Sequence, residues 1–342
     1  MKKLRILLLV HEDLVPPESI EGLSEQEIAP WKTEYDVWAG LCNLGHEVLT
    51  LGVSSDLGIL RDTIERFRPH ITFNLLEEFH GVAIYDYHVV SFLELMKWPY
   101  TGCNPRGLLL SHDKALAKKI LTYHRIHVPE FAVFPIGQKV RRPPRLGFPL
   151  LVKSLIEEGS VGIAQASIVH DDERLVERVR FVHRTLGTDA IAERYIEGRE
   201  FYVGVLGNVR LQTLPIWELV FDNLPEDAPA IATSKVKWDA KYQKKVGVRT
   251  EAARDLPENL TRAIRRIAKR VYRALNLSGY ARLDLRLEGD NQVFLIEANP
   301  NPQLSYGEDF AESAHTVGID YESLLARIIS LGLRYRPAWK VK

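Results

Sequence analysis

The chain has 342 residues, 46% of them hydrophobic, and its 45 basic residues are balanced by 45 acidic ones. This balance gives no overall field for nucleic acid or an anionic membrane, and apolar runs such as residues 4–10 are far shorter than the roughly 20 residues of a membrane span. Cys42 and Cys103 are the only cysteines and form no CxxC pair, so neither a disulfide scaffold nor a cysteine–zinc site is expected. We therefore expect a cytoplasmic protein of two or three lobes.

The first eighty residues alternate between predicted strands and helices. Buried strands are predicted at residues 3–13, 46–53 and 70–79, and amphipathic helices at residues 32–45 and 57–69. This order is typical of an open parallel α/β sheet, which binds ligands at the carboxyl ends of its strands. No G-x-G-x-x-G motif follows the first strand, so a dinucleotide site is not indicated. The pattern predicts a Rossmann-like N-terminal domain.

The pattern changes after about residue 107, where strands joined by Gly-containing turns are mixed with longer helices. Ser111 is the expected cap of the first of these helices. Asp255 and Glu258 are spaced as a capping box at the start of a later, strongly amphipathic helix. That helix is basic, but its apolar stripe predicts a solvated Arg/Lys face rather than a nucleic-acid site.

The strongest group of polar residues lies in the last predicted hairpin. Arg282 and Asp284 alternate with leucines and share one face of the first strand. In the second strand, alternation puts Glu297 and Asn299 on one face together with the preceding Val293. Cross-strand neighbours point to the same side of a sheet, so these polar residues are expected to meet.

Two registers of this hairpin remain open. A two-residue turn at Gly289–Asp290 places Asp284 opposite Leu295, whereas a four-residue loop places Asp284 opposite Glu297. Either register gathers the polar residues on one surface.

Two carboxylates and a carboxamide form an all-oxygen set suited to Mg²⁺. The alternative is that Arg282 and Arg286 simply pair with the acids across a solvated sheet face. A second feature favours phosphate chemistry, because Lys153 lies on a strand that is followed by the loop "EEGSVG". Small residues in such a loop let backbone N–H groups approach phosphate oxygens.

Several segments in order carry a family resemblance: "HDKALAKK" with Lys114, "LLVKS", "EEGSVG", "AERYIEGREF", "GYARLDLR" and "LIEANPNP". Together they resemble the ATP-grasp superfamily and, within it, the D-alanine–D-alanine ligase group. The resemblance implies an α/β fold with an N-terminal domain at 1–107, a small ATP-grasp lobe at 108–193 and a C-terminal lobe with the metal site at 194–342.

The resemblance implies that ATP binds between the two lobes with Mg²⁺, as two ions for which Mn²⁺ can substitute. The implied ATP-binding residues are Lys114 and Lys153 at the phosphates, Gly159, Ser160 and Gly162 in a loop over them, Glu193, Tyr195 and Ile196 at the adenine hinge, and Glu200 at the ribose. The implied metal ligands are Asp284, Glu297 and Asn299.

In this family the γ-phosphate passes to a carboxylate, and an amine then attacks the acyl phosphate. Arg282, Ser160 and Lys241 are the implied catalytic residues, with Arg282 stabilising the oxyanion and Lys241 reaching the γ-phosphate. Lys235, Lys237, Lys244 and Lys245 are alternatives to Lys241 because they lie nearby in the sequence.

Three departures from the family concern the substrates. Gly159 replaces the first of two serines in the phosphate loop. Gln303 and Glu308 stand where the D-alanine ligases have a Gly and a Ser that binds the carboxylate of the second amino acid. A Glu there disfavours a free carboxylate, although Glu308 also fits as an acid in a first helical turn. Glu27 in "SEQEI" is a possible counterpart of the residue that binds the first ammonium group.

The segment "FNLLEEFHG" follows the third predicted strand and carries Asn74, Glu77, Glu78 and His80. Its position at the ligand-binding edge of the sheet predicts a contribution to the substrate pocket, with a plain strand-to-helix loop as the alternative.

The sequence therefore predicts an ATP- and Mg²⁺-dependent carboxylate–amine ligase acting on an amino acid, amine or short peptide, and on a substrate pair other than two D-alanines. The resemblance implies a homodimer, the habit of the family. The alternatives are D-alanine–D-alanine ligase itself, an ATP-grasp kinase, and a nucleotide-binding protein without catalytic activity.

Overall fold

The computed structural model describes residues 2–157, 159–225 and 229–340. Its first part is a parallel sheet flanked by helices, as predicted. In chain order the elements are β1 (Arg5–His11), α1 (Glu25–Ile28), α2 (Lys32–Asn43), β2 (Glu47–Val53), α3 (Leu57–Phe67), β3 (Ile71–Asn74) and α4 (Asp86–Leu95). The strand order is β2-β1-β3. Leu7, Leu8 and Leu9 of the central strand are fully buried, because helices cover both faces of a parallel sheet.

A second, antiparallel sheet follows. The elements are α5 (Pro105–His112), α6 (Lys114–Tyr123), β4 (Phe131–Phe134), β5 (Leu150–Ser154), β6 (Ile168–Val169), α7 (Asp172–Thr185) and β7 (Ala190–Arg194). The strand order is β4-β7-β5-β6. Val152 and Ala192 of the sheet pack against Val179 and Val182 of α7, which gives this part of the chain a core of its own.

The third sheet has five antiparallel strands. The remaining elements are β8 (Arg199–Leu206), β9 (Gln212–Phe221), α8 (Ser234–Trp238), α9 (Ala240–Val246), β10 (Val248–Ala252), α10 (Glu258–Ala274), β11 (Tyr280–Glu288), β12 (Gln292–Pro300), α11 (Asp309–His315) and α12 (Tyr321–Arg334). The strand order is β10-β9-β8-β11-β12. Ile264 and Val271 of α10 pack in one core with Leu283 of β11, so the apolar stripe of this basic helix is buried as predicted.

The last helix returns to the first domain. α12 packs on α2 so closely that a Cβ atom added at Gly40 would lie 2.6 Å from Leu325 Cδ1. Leu325 and Ile328 share a core with Ile6 and Phe73 of the parallel sheet. The chain therefore closes on its own N-terminal domain, and the domain boundaries proposed from sequence at residues 107 and 193 stay predictions.

Two predicted helix caps are wrong. Ser111 lies inside α5, and the cap of α6 is Asp113, whose Oδ1 accepts the Leu116 N–H at 2.8 Å. Asp255 and Glu258 form no capping box, because α10 begins after Pro257 and Asp255 lies outside the helix with a φ of 53°. In each case the correct spacing was present, but the helix begins two or more residues later than the cap requires. No helix within the described ranges is long and apolar enough to cross a bilayer.

Candidate active site

The turn of the β11–β12 hairpin differs from both predicted turns. Glu288 pairs with Gln292, so the loop comprises residues 289–291 instead of two or four residues. Gly289 has a φ of 57°, a left-handed conformation that costs glycine little. Both turns considered from the sequence are therefore wrong, although the pairing of Asp284 with Glu297, expected for the four-residue loop, is present.

A β-bulge changes the register further along the hairpin. Leu285 pairs with Leu295, but Asp284 pairs with Glu297, which leaves Ile296 as the extra residue. Because side chains alternate between the faces of a sheet, the extra residue moves Glu297 from the core face to the face of Asp284. The predicted alternation, which placed the acid together with the aliphatic residues of β12, is wrong. The two carboxylates nevertheless meet.

Arg282 lies at the centre of this polar group. Its Nε and Nη2 donate to the two carboxylate oxygens of Asp284 at 2.8 and 3.0 Å, and Nη1 donates to Asp309 Oδ2 at 3.0 Å. Asn299 Nδ2 donates to Asp284 Oδ2 at 2.9 Å. Burial alone would lower the pKa of Arg282, but the two carboxylates outweigh it and raise the pKa well above its ordinary value. The guanidinium is thus held firmly in its charged form.

The pairing of Arg282 with Asp284 is also the alternative expected from sequence, an ion pair on a sheet face. That face is not solvated, however. Asp284 is 7% exposed and Arg286, on the same strand, is 4% exposed. A buried charge requires partners or a function, so the setting is that of a binding site more than of a surface ion pair.

Lys114 connects this group to a neighbouring loop. It is the first residue of α6, and its Nζ lies 3.0 Å from Glu297 Oε1. The same Nζ donates to the carbonyl oxygen of Glu157 at 2.7 Å, at the first residue of the predicted phosphate loop. One buried ammonium group therefore bridges the two segments that the sequence analysis assigned to metal and to phosphate.

Glu193 lies between two buried lysines. The Nζ atoms of Lys118 and Lys153 are each 3.5 Å from Glu193 Oε1, and Lys118 also donates to the Ile296 carbonyl at 3.0 Å. Burial lowers the pKa of Lys118 to about 8. For Lys153 the nearby carboxylates outweigh burial and raise the pKa. The sequence analysis missed Lys118, although its position one helical turn after Lys114 places the two lysines on one face of α6.

A cavity lies between the two antiparallel sheets, with residues of both contributing to its wall. It contains most of the residues predicted to bind ATP or metal: Lys153, Ser160, Glu193, Tyr195, Ile196, Glu200, Asp284 and Glu297. Lys114 and Asn299 contact Glu297 and Asp284 at one end of it.

The predicted phosphate loop has an unusual backbone. Gly159, Ser160 and Gly162 all have φ values between 61° and 71°. Left-handed residues that alternate with right-handed ones occur in loops that bind anions through backbone N–H groups. The loop is fastened to α8 through Ser234, whose N–H donates to the Ile163 carbonyl at 2.9 Å and whose hydroxyl donates to the Ser160 carbonyl. Sequence analysis did not predict this link.

Lys241 does not line the cavity. Its side chain is exposed, and its N–H donates to Asp239 Oδ1 at 3.0 Å in the first turn of α9. The alternatives Lys235, Lys244 and Lys245 are exposed as well. The side chain of the remaining alternative, Lys237, lies outside the described part of the structure. The identity of a lysine that reaches the γ-phosphate stays a prediction.

Glu27 is exposed and has a structural partner. Its carboxylate accepts hydrogen bonds from both the N–H and the hydroxyl of Ser24, at 2.8 and 2.6 Å, in a complete capping box at the start of α1. These hydrogen bonds lower the pKa of Glu27. The capping box gives this carboxylate a local structural role, and its contact with a substrate stays a prediction.

The loop after β3 lies where the sequence placed it, at the carboxyl edge of the parallel sheet. Glu78 Oε1 is 3.3 Å from His11 Nε2 at the end of β1. Glu77 and His80 are exposed, whereas Asn74 is buried and accepts the Leu76 N–H at 3.3 Å. Asn74 therefore shapes the loop from within, and the contribution of this loop to a substrate pocket stays a prediction.

The segment after β12 departs from the family pattern, and α2 holds it in place. Lys32 Nζ donates to Asp36 Oδ2 at 2.7 Å and to the Tyr306 carbonyl at 2.6 Å, while Asp36 Oδ2 accepts the Tyr306 N–H at 2.8 Å. The hydroxyls of Thr33 and Ser305 are 2.6 Å apart. The sequence alone gave no sign that a helix of the first domain positions this segment.

Glu308 and Asp309 begin α11 beside Arg282. Asp309 is buried against the guanidinium, whereas Glu308 is exposed. Desolvation of its carboxyl and the adjacent Asp309 nevertheless raise the pKa of Glu308, and Lys32 opposes this shift. Gln303 is exposed and donates to Ser305 Oγ at 3.1 Å. Two acids therefore flank the position where an attacking amine would approach Arg282.

The polar group fits Mg²⁺ if the ion takes part of its coordination shell from phosphate and water. Asp284, Glu297 and Asn299 supply oxygen donors on one face, as Mg²⁺ prefers. Among the residues described, however, no cluster of three or more His, Cys, Asp or Glu side chains is placed to hold a metal. The ion would therefore take much of its shell from phosphate and water, which is its usual habit in nucleotide sites.

Comparison with known proteins identifies relatives of the chain. The family model described as "D-ala D-ala ligase C-terminus" matches residues 122–330. The chain is 32% identical over 316 residues to the uncharacterized protein y4sG of Sinorhizobium fredii, covering 89% of each chain. It is 29% identical to a D-alanine–D-alanine ligase of Desulforudis audaxviator, covering 91% of this chain and 95% of that one.

A solved structure shows the same fold. The D-alanine–D-alanine ligase of Bacillus anthracis, whose structure is complexed with ATP, superposes with a TM-score of 0.75 at 24% identity and covers 98% of both chains. With the matched family model spanning more than half of its length, the chain belongs to the D-alanine–D-alanine ligase family of ATP-grasp ligases.

Proposed function

We propose that this ATP-grasp ligase joins a carboxylate to an amine through an acyl phosphate, with ATP in the cavity between the two antiparallel sheets. The observation that carries the proposal is the group formed by Arg282, Asp284 and Asn299, joined to the Lys114–Glu297 pair at one end of that cavity. Phosphoryl transfer needs cations and positioning more than covalent chemistry, and buried groups on rigid strands provide both.

In this arrangement the adenine lies against Tyr195 and Ile196, the ribose hydroxyls approach Glu200, and Lys153 lies at the phosphates. Ser160 and its flanking glycines cover the phosphates from above. Mg²⁺ held by Asp284, Glu297 and Asn299 would neutralise the phosphate charge during transfer.

Arg282 acts after phosphoryl transfer. When the amine attacks the acyl phosphate, negative charge develops on the carbonyl oxygen, and a preorganised guanidinium stabilises that charge. Asp284 and Asp309 hold the guanidinium in place, so no reorganisation is needed as the charge forms.

We further propose that the amine substrate is not an α-amino acid with a simple free carboxylate. Glu308 and Asp309 place two acids next to Arg282, where a like-charged carboxylate would be repelled. An amine, or an amino acid whose carboxylate is capped, avoids that repulsion.

D-Alanine–D-alanine ligase activity is the second candidate, and one observation favours it. Lys32 lies near Glu308 and has used two of its three N–H groups, on Asp36 and the Tyr306 carbonyl. The third could bind a substrate carboxylate and offset the repulsion.

The test is release of ADP and orthophosphate by the purified protein with ATP and Mg²⁺, against a panel of D- and L-amino acids, amines and short peptides, with mass spectrometry of the products. A ligase releases both ADP and orthophosphate with an amide product. ADP with a phosphorylated product and no orthophosphate would show a kinase instead. Rapid formation of the dipeptide from D-alanine alone would contradict the proposed acceptor and establish the second candidate.

A further inference from the structure

Arg286 is a buried cation at the nucleotide end of the cavity. It lies two residues after Asp284 on β11, lines the cavity and is 4% exposed. The sequence analysis placed it on the polar face of the strand but gave it no function. A guanidinium so deeply buried is stable only when its N–H groups are satisfied.

All three nitrogens of the Arg286 guanidinium have partners. Nε and Nη2 donate to Glu200 Oε2 at 3.0 and 2.6 Å, and Nη1 donates to the Ile196 carbonyl at 2.9 Å. Nη2 also donates to the Ala230 carbonyl, and the ring of Tyr195 lies 5.3 Å from the guanidinium carbon. Burial alone would lower the pKa of Arg286, but Glu200 and Tyr195 raise it.

These partners belong to three separate parts of the site. Glu200 is on β8, Ile196 lies in the hinge after β7, and Ala230 precedes α8, which is fastened to the phosphate loop through Ser234. One side chain therefore joins the acid at the ribose, the hinge at the adenine and the segment that leads to the phosphate loop.

The contacts also fix the orientation of Glu200. Arg286 occupies Oε2 with two hydrogen bonds, and Oε1 accepts the hydroxyl of Tyr202 at 3.0 Å. A carboxylate oxygen has two lone pairs, so Oε1 keeps one for a further donor. With Arg286 in place, the carboxylate offers this single acceptor in a set direction, as specific recognition of a hydroxyl requires.

We propose that Arg286 is a positioning residue for the nucleotide, which orients Glu200 so that Oε1 accepts a ribose hydroxyl and thereby makes the site selective for ribonucleotides. The inference rests on the proposed function, since it requires a nucleotide in this cavity. Without Arg286, Glu200 loses its orientation. The preference for the ribose form over the deoxy forms then falls by a larger factor than the affinity that comes from the base and the phosphates.

The experiment is equilibrium binding by calorimetry, so that ligase activity is not needed. The probes are a non-hydrolysable ATP analogue and its 2′-deoxy and 3′-deoxy forms, each with Mg²⁺. We expect the unaltered protein to bind the ribose form about tenfold or more tightly than at least one deoxy form, and Arg286→Met to reduce this ratio to about twofold or less. Arg286→Lys keeps the positive charge but lacks the planar, forked N–H groups of the guanidinium, so it should give an intermediate ratio.

The matched control is Arg262→Met, which removes an exposed arginine that pairs with Glu258 on α10, and it should leave the ratio unchanged. Circular dichroism verifies folding, and if Arg286→Met does not fold, Arg286→Lys carries the comparison. Equal weakening of all three nucleotides would show that Arg286 only holds the pocket together and would overturn the inference. No binding of the ribose form to the unaltered protein would overturn the proposed function itself.

Discussion

Lys114 Nζ lies 3.0 Å from Glu297 Oε1, so a cation assigned to phosphate and a carboxylate assigned to metal neutralise each other. A triphosphate would compete with Glu297 for this lysine, and Mg²⁺ would compete with the lysine for this carboxylate. Binding of either ligand would therefore disturb this buried ion pair.

The metal assignment can be tested at Asp284. Asp284→Asn preserves the shape of the side chain but removes the negative charge that faces the proposed metal and holds Arg282. We expect kcat to fall by at least about 100-fold, the range seen when a preorganised electrostatic group is lost. Asp290→Asn, in the exposed turn of the same hairpin, is the control and should retain full activity. Near-normal turnover of Asp284→Asn would exclude the metal site proposed here.

The acceptor assignment can be tested at Glu308. Glu308→Ser removes one of the two acids beside Arg282, so repulsion of a substrate carboxylate should weaken. We expect the KM for D-alanine as acceptor to fall about tenfold and the KM for an amine without a carboxylate to rise. Glu312→Ser, one helical turn further along α11, controls for a general effect of charge. An unchanged ratio of the two KM values would contradict a role of Glu308 in acceptor selection and leave it as an acid next to the N-terminus of α11.

The sequence was sufficient to predict the fold, because each strand or helix pattern comes from residues that are close together in the chain. Strand and helix alternation predicted the parallel sheet, and the motif around Lys153 predicted a strand and loop that the structure contains. The bulge at Ile296 was not predictable in this way, since one extra residue in a strand leaves the alternation of residue types intact on either side. The register that joins Asp284 to Glu297 depends on tertiary packing.

The least predictable contacts join distant parts of the chain. Lys32 and Tyr306 are 274 residues apart, and neither has a sequence signature that calls for the other. Glu27 has a local partner, because it forms a capping box with Ser24, and its assignment to the substrate stays a prediction. The type and order of the elements were therefore predicted, whereas caps, turns and long-range contacts were not.

The fastening of the phosphate loop can be tested at Ser234. Ser234→Ala removes the hydroxyl that donates to the Ser160 carbonyl but keeps the backbone hydrogen bond to Ile163. Loss of one hydrogen bond of about 1 kcal/mol predicts a rise of about fivefold in the KM for ATP. Ser91→Ala is the control, since that hydroxyl also donates to a backbone carbonyl, within α4 and away from the cavity. Equal KM values for ATP in the two variants would show that this contact does not affect ATP binding.

Glu34 predicts a pH dependence of stability. It lies in the first turn of α2, is 6% exposed, and burial raises the pKa of its carboxyl from 4.5 to about 7. Because the folded protein holds this proton more tightly than the unfolded chain, stability attributable to Glu34 is present below about pH 4.5 and is lost as the pH rises toward 7.

Replacing the carboxyl by a neutral amide should remove that loss. We expect Glu34→Gln to match the unaltered protein near pH 4.5 and to exceed it in free energy of unfolding above pH 7, by an amount on the order of 3 kcal/mol at most. Urea unfolding at a series of pH values measures the difference, with Glu47→Gln at an exposed position of β2 as the control. A difference that stays constant with pH would mean that the pKa of Glu34 is the same in the folded and unfolded states and that the gain comes from packing.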